Sequence, residues 1–175
     1  MTAPRKGRGS GAARKRNRAR LLFPSRSPAL VGRCGIVSYG GFAFPRWLRY
    51  SAWHAWVLEV GGGRVRVGVT DWAQGGLRAV VFVEPPRVGE RVERGGVLAL
   101  LESVEAVAEV RSPLTGTVVA YNAELDDDPG LINRDPYGGG WIAEIQPERG
   151  EELEELMTAE EYVERVLKRE EKPKD

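Results

Sequence analysis

The stretch that decides the fold runs Val88-Gly89-Glu90-Arg91-Val92-Glu93-Arg94-Gly95-Gly96, then Val97-Leu98-Ala99-Leu100-Leu101, then Glu102-Ser103-Val104-Glu105-Ala106-Val107, then Ala108-Glu109-Val110-Arg111-Ser112-Pro113-Leu114-Thr115-Gly116. Glycine turns flank Val92, and the apolar run from Val97 to Leu101 reads as a strand. Residues 102–107 read as a reversal, Ala108 to Arg111 as the returning strand, and Thr117 to Tyr121 as a further strand after the turn at Leu114-Thr115-Gly116. Short strands at close, regular spacing with Gly and Pro between them predict a small β-sandwich or barrel.

The same punctuation continues on the N-terminal side. His54 to Val60 and Arg64 to Val69 alternate around Gly61-Gly62-Gly63, a β-hairpin pattern. Thr70 or Asp71 is placed to cap a short helical turn through Trp72-Ala73-Gln74, which Gly75-Gly76 is expected to stop. Ala79 to Val83 is a buried-strand run closed by Pro85-Pro86. On the C-terminal side the chain reads as acidic loop through Asp126-Asp127-Asp128-Pro129 and on to Gly140, followed by a strand over Trp141 to Ile145. Thr158-Ala159-Glu160-Glu161 is a capping box, which predicts a helix to about Lys168. Its apolar positions Tyr162, Val163, Val166 and Leu167 form one face suited to lying on the β-core.

A chain of 175 residues with 42% apolar and 29% charged residues suits one soluble globular domain with appendages. No apolar run approaches the ~20 residues needed to cross a bilayer, so a membrane span is excluded as an expectation. The net charge of +1 conceals opposed ends: residues 1–49 hold twelve Lys/Arg and no Asp/Glu, whereas residues 50–175 carry a net −11. Residues 1–43 are rich in Arg, Gly, Ser and Pro and are expected to be a disordered basic extension. Residues 44–170 are expected to form the folded domain, and 171–175 a tail. The extension has three readings: a transit peptide, a nonspecific attractor of nucleic acid or anionic membrane through Arg14, Lys15, Arg16, Arg18 and Arg20, or upstream sequence read from a start codon placed too early. No apolar core with a small-residue cleavage site follows it, which argues against secretion.

Little in the sequence carries chemistry. One cysteine, Cys34, excludes an intramolecular disulfide, and with one histidine, His54, no zinc-type Cys/His cluster exists. A Cys-His nucleophilic pair has no matching local signature. Asp126-Asp127-Asp128 lacks the further ligands and glycine of a calcium loop, so no metal is expected. Gly138-Gly139-Gly140 is followed by neither Lys-Ser/Thr nor a helix, so it is a turn and not a phosphate cradle. Glu102 and Glu105 read as a solvated hairpin edge in preference to an acid–base pair. His54, beside Trp53 and Trp56, reads as a packing or hydrogen-bonding residue.

The motifs taken in order narrow this further. Val67-Gly68-Val69-Thr70-Asp71-Trp72-Ala73-Gln74, Val81-Phe82-Val83-Glu84, Gly89-Glu90-Arg91-Val92, Glu102-Ser103-Val104-Glu105-Ala106-Val107, Ser112-Pro113-Leu114-Thr115-Gly116 and Asn133-Arg134-Asp135-Pro136-Tyr137-Gly138-Gly139-Gly140-Trp141 together resemble the H protein family of the glycine cleavage system. The resemblance runs from about Phe44 to Leu167. It implies a mainly β barrel-sandwich hybrid with short helices and a C-terminal helix. It also implies carriage without catalysis: a lysine at a hairpin tip bears lipoate, whose arm takes the aminomethyl group from glycine decarboxylase and presents it to the aminomethyltransferase and then to lipoamide dehydrogenase. By the same resemblance His54, Asp71, Asp135 and Tyr137 are candidates for the cleft or for partner docking.

The sequence departs from the family at the attachment position. Where the family has Glu-Ser-Val-Lys-Ala, this chain has Glu102-Ser103-Val104-Glu105-Ala106. A stable amide needs an amine, so Glu105 is not modifiable and no cofactor is expected. The lysines are Lys6, Lys15, Lys168, Lys172 and Lys174, all near the ends. Ala55 replaces the family's usual Glu, and Gly75-Gly76 with Arg78-Ala79 replace acidic and helix-favouring residues. The expectation is an H-like protein, not lipoylated, serving as a binding or regulatory module for glycine-cleavage or lipoate-handling enzymes. The alternatives are a working aminomethyl carrier in which Glu105 is an error or substitution, and a nucleic-acid binder acting through the basic tail. The arginine bias suits a GC-rich bacterial genome and the bacterial cytoplasm; the other compartment is the mitochondrial matrix, with residues 1–43 as transit peptide.

Overall fold

The computed structural model describes residues 34–171. The transit-peptide, nucleic-acid and terminal-tail readings of residues 1–33 and 172–175 lie outside them. All strand pairs are antiparallel, and they form three sheets. β1 (Ile36–Tyr39) and β2 (Phe42–Pro45) make a hairpin. β3 (Arg49–Tyr50), β4 (Ala55–Gly61), β5 (Arg64–Val69), β11 (Ala143–Pro147), β10 (Gly116–Tyr121) and β7 (Arg91–Val92) make a six-stranded sheet in that spatial order. β6 (Val80–Glu84), β8 (Val97–Ser103) and β9 (Val107–Arg111) make the third.

The alternation read from the sequence explains how these sheets pack. Val57, Val65, Val67, Val118 and Ile145 point inward from the large sheet and meet Val83, Leu98, Leu101 and Val110 from the small one in a single buried cluster. At about 1.5–3 kcal/mol for each fully buried aliphatic side chain, this contact is the main force holding the sheets face to face. The result is a mainly β sandwich with short helices and no closed barrel. A second cluster, rich in aromatics, joins Phe44, Leu48, Tyr50 and Trp56 to Tyr162, Val163, Val166 and Leu167 of the C-terminal helix. Tyr50 stacks on Tyr162 with ring centroids 5.1 Å apart, and Phe44 meets Tyr162 edge-on at 5.5 Å.

The capping box is present as expected, with the Thr158 hydroxyl accepting from the Glu161 amide and Glu161 accepting from the Thr158 amide. The helix it starts runs as α5 (Ala159–Tyr162), a π-helical turn (Val163–Leu167) and α6 (Lys168–Glu170). The apolar face expected of it is buried throughout.

Three expectations are corrected, and one helix is added. The boundary after residue 43 falls inside the β1–β2 hairpin, so the folded body begins at least as early as Ile36. Ile36, Val37, Tyr39, Phe42 and Phe44 flank Gly40-Gly41, whose φ values of 62° and 85° fit the tight hairpin turn that glycine permits. Gly75-Gly76 do not stop the helix: α1 spans Asp71–Leu77, because the buried Leu77 gains more than two glycines cost. The acidic stretch read as loop contains single-turn helices α2 (Glu124–Asp127) and α3 (Leu131–Arg134), each placing one buried apolar residue, Leu125 and Ile132, in the core. α4 (Gly150–Glu154), which the sequence reading left unassigned, is anchored by the buried Glu152.

Candidate functional site

The tip of the β8–β9 hairpin is built by Ser103. Its hydroxyl oxygen accepts from the amides of Glu105 at 3.3 Å and Ala106 at 3.2 Å, while the Ser103 amide donates to the Ala106 carbonyl at 2.9 Å. A serine here therefore closes the reversal through its own side chain, as hydroxyl residues do in turns. Val104 is 86% exposed, and Glu105 and Ala106 are exposed beside it. The Glu105 carboxylate has no partner among the described residues. Glu102, one strand position back, is half-buried at the base of the tip.

Below the tip, the inward side of the same hairpin forms one wall of a cleft of about 310 Å³. Leu101, Ala108 and Val110 line it together with Trp72, Ala73 and Leu77 of α1 and with Trp53 and His54. The lining is largely apolar. Thr70 caps α1 by accepting from the Ala73 amide at 3.3 Å, so the cleft's helical wall is set by a residue that is itself fully buried.

His54 sits at the head of β4 with φ 65°, an uncommon conformation for a residue with a Cβ. Its Nδ1 lies 2.6 Å from the Tyr162 hydroxyl, and its Nε2 2.9 Å from Glu170. The Tyr162 hydroxyl also lies 2.9 Å from the Thr70 hydroxyl. A chain of hydrogen bonds thus joins the C-terminal helix, His54 and the cap of α1. Burial, opposed by the hydrogen bond with Thr70, pushes the Tyr162 phenol well above its ordinary range.

The other candidates are brought together elsewhere or spent on the backbone. Asp71 accepts from the Ala43 amide at 3.0 Å and from Gln74 Nε2 at 2.7 Å, and its own amide donates to the Tyr137 hydroxyl at 2.9 Å. The Tyr137 hydroxyl in turn donates to the Ala43 carbonyl at 2.5 Å. Asp71 and Tyr137 are therefore one clasp holding β2, α1 and the 136–141 loop. Asp135 shapes that loop, accepting from the Gly139 amide at 2.8 Å, with a Gly138 Cβ position only 2.5 Å from its Oδ2. Of the four, His54 alone lines the cleft. Ala55 is 1% exposed in the core, so the position beside His54 points away from it.

The tryptophans that wall the cleft, Trp53 and Trp72, and the Tyr162 link were missed by sequence reading. The first two carry no signal beyond being aromatic beside a turn and a cap. Of the acidic triplet, Asp126 accepts from the Tyr121 hydroxyl at 2.9 Å and Asp128 pairs with Arg134. Among the described residues no set of three His, Cys, Asp or Glu side chains is grouped as a metal site, and no helix is long and apolar enough to cross a membrane.

Comparison with known proteins converges on one family. The family model for the glycine cleavage H-protein matches residues 48–169. The glycine cleavage system H protein of Psychrobacter sp. (strain PRwf-1) is 48% identical over 118 residues, covering 67% of this chain and 94% of that protein. A probable glycine cleavage system H protein of Pyrococcus abyssi (strain GE5 / Orsay) is 45% identical over 130 residues, covering 74% and 96%. The crystal structure of a glycine cleavage system H protein from Mycobacterium marinum superposes with a TM-score of 0.63 at 38% identity, covering 70% of this chain and 98% of that one. Its likeness confirms the mainly β lipoyl-carrier sandwich expected from the sequence. H proteins carry lipoate and work with the other glycine cleavage components without catalysing a reaction. By family model, by relatives and by fold, the chain belongs to the glycine cleavage H-protein family.

Proposed function

We propose that this H protein is a scaffold without a lipoyl-attachment amine, acting as a binding or regulatory module for glycine-cleavage or lipoate-handling enzymes. The observation that carries the reading is Glu105, a carboxylate without a partner among the described residues at the exposed hairpin tip where the resemblance puts the lysine. A lipoyl amide forms when an amine nitrogen displaces an activated carboxyl; a carboxylate in that position yields at most a hydrolysable anhydride. The residues at the tip therefore do not fit covalent lipoate. Lys168 does not replace it, since it lies on the C-terminal helix and pairs with Glu164 at 2.6 Å. The well-formed tip, cleft and clasp support retention of a docking surface. Its partners are then glycine decarboxylase, the aminomethyltransferase or lipoamide dehydrogenase, in the cytoplasm of a bacterium.

The test incubates the full chain and Glu105→Lys with a lipoate ligase, lipoate and ATP, reads intact mass, and measures binding of glycine decarboxylase, the aminomethyltransferase and lipoamide dehydrogenase to both at low salt. The expected result is no mass gain for the native chain, a single lipoyl adduct on the variant, and binding by the native chain. A lipoyl adduct on the native chain overturns the missing-amine reading. Absence of binding to all three named enzymes at low salt overturns the docking role.

A further inference from the structure

Several carboxylates at the body's surface face a cation: Glu155 pairs with Arg94, Glu160 with Arg46 and Asp128 with Arg134. The outward face of the β6–β8–β9 sheet combines carboxylates without such a pair and exposed apolar side chains. Its registered rows are Phe82, Glu102 and Val107, then Glu84, Leu100 and Glu109. Phe82 is 52% and Val107 62% exposed, so apolar surface is open to water between the acids. Glu109 is held by Arg111 at 2.7 Å, but Glu84, Glu102 and, at the tip, Glu105 have no cation among the described residues. A face that mixes exposed aromatic and aliphatic groups with uncompensated negative charge is suited to a basic, apolar ligand.

We infer that this sheet face docks the chain's own segment Arg14-Lys15-Arg16-Asn17-Arg18-Ala19-Arg20-Leu21-Leu22-Phe23. It offers five cations followed directly by three large apolar residues, and residues 1–33 contain no Asp or Glu to oppose it. The ten residues from Pro24 to Arg33 span up to about 33–36 Å when extended, close to the diameter of a body whose radius of gyration is ~14 Å. The segment enters at Cys34, whose carbonyl accepts from Arg46 at 3.3 Å. Docking places Leu21-Leu22-Phe23 over Phe82 and Val107 and the arginines over Glu84, Glu102 and Glu105. Exposed ion pairs weaken once the Debye length falls below their separation, so the contact is salt-sensitive. The inference holds whether or not the tip accepts lipoate.

The test uses the full chain with Cys34→Ser and Ser25→Cys, bearing a nitroxide label on the new thiol, and reads paramagnetic broadening of backbone amides. Docking predicts broadening confined to Phe82–Glu84 and Val104–Glu109, lost in high salt and lost in the Glu84→Gln, Glu102→Gln, Glu105→Gln variant. Replacing Arg14, Lys15, Arg16, Arg18 and Arg20 by Ser must abolish it too, which guards against any misfolding of the sheet variant. Broadening spread evenly over the surface, centred on the acidic C-terminal helix, or unchanged in the glutamine variant overturns the proposal. Mixing labelled chain with isotope-enriched unlabelled chain separates the occupants: broadening that appears only between chains assigns the face to a second copy and overturns the intramolecular contact.

Discussion

The Tyr162 hydroxyl lies 2.6 Å from Nδ1 of His54, and the placement of Glu170 2.9 Å from Nε2 decides which nitrogen of the neutral ring holds the proton. A carboxylate only accepts, so Nε2 donates to Glu170, and Nδ1 must accept from Tyr162. The Thr70 hydroxyl then donates to the Tyr162 oxygen while accepting from the Ala73 amide. Every group in the chain is satisfied by this one arrangement. Nitrogen chemical shifts of the single histidine should show the Nε2–H tautomer; an Nδ1–H tautomer would sink the assignment. Tyr162→Phe keeps the stacked ring but removes both bonds at Thr70 and His54, and should cost about 1–3 kcal/mol in denaturant unfolding.

Two adjacent glycines in α1 should respond with opposite sign to the same change. A Cβ on Gly75 would sit 2.4 Å from Cε1 of Phe42, whereas one on Gly76 meets nothing within 4 Å. Gly75→Ala is expected to destabilise by about 1–3 kcal/mol through overpacking. Gly76→Ala should stabilise by ~0.5–1 kcal/mol, the usual gain in a helix. Equal shifts of both midpoints in urea would contradict the packing of β2 on α1.

Glu152 is a buried carboxylate with an assigned task. It accepts from the Thr115 amide at 2.9 Å and from the Thr115 hydroxyl at 3.1 Å, tying α4 to the turn before β10. Glu152→Ala leaves a buried amide without an acceptor and should cost about 1–3 kcal/mol. Glu152→Gln retains an acceptor for the amide and should lose less; chemical denaturation of both variants gives the comparison.

Alkaline stability follows from the tyrosines. Burial pushes the phenols of Tyr50, Tyr137 and Tyr162 well above their ordinary range. The folded chain keeps these protons after the unfolded chain, titrating near ~10, has released them. Their contribution is therefore fully present below about pH 10 and is lost as pH rises towards the folded-state values. Phenolate absorbance from these three should appear together with the loss of near-ultraviolet circular dichroism. Ordinary titration in a chain that stays folded would refute their burial.

What the sequence revealed and what it hid divide along physical lines. The β4–β5 hairpin and the β8–β9 pair were legible because alternation and glycine turns are local signals. The hairpin of Ile36 to Pro45 was hidden by its position in a basic, glycine-rich stretch, although its own ten residues alternate around Gly40-Gly41. The glycine pair in α1 misled, since local propensity lost to the burial of Leu77. For the site, pattern alone made Glu102 and Glu105 a hairpin edge, and only the resemblance singled out the tip. The bond between His54 and Tyr162 spans 108 positions and leaves no trace in spacing.

The arginine habit of this chain has a practical side. From Arg16 to Leu167 no side-chain amine interrupts the fold, and Lys168 sits on the helix at its far end. Reagents that acylate amines will mark the molecule only towards the two ends of its chain. The same property withholds the β-sandwich from lysine acetylation and ubiquitination, leaving any such control of its lifetime to the two ends of the chain.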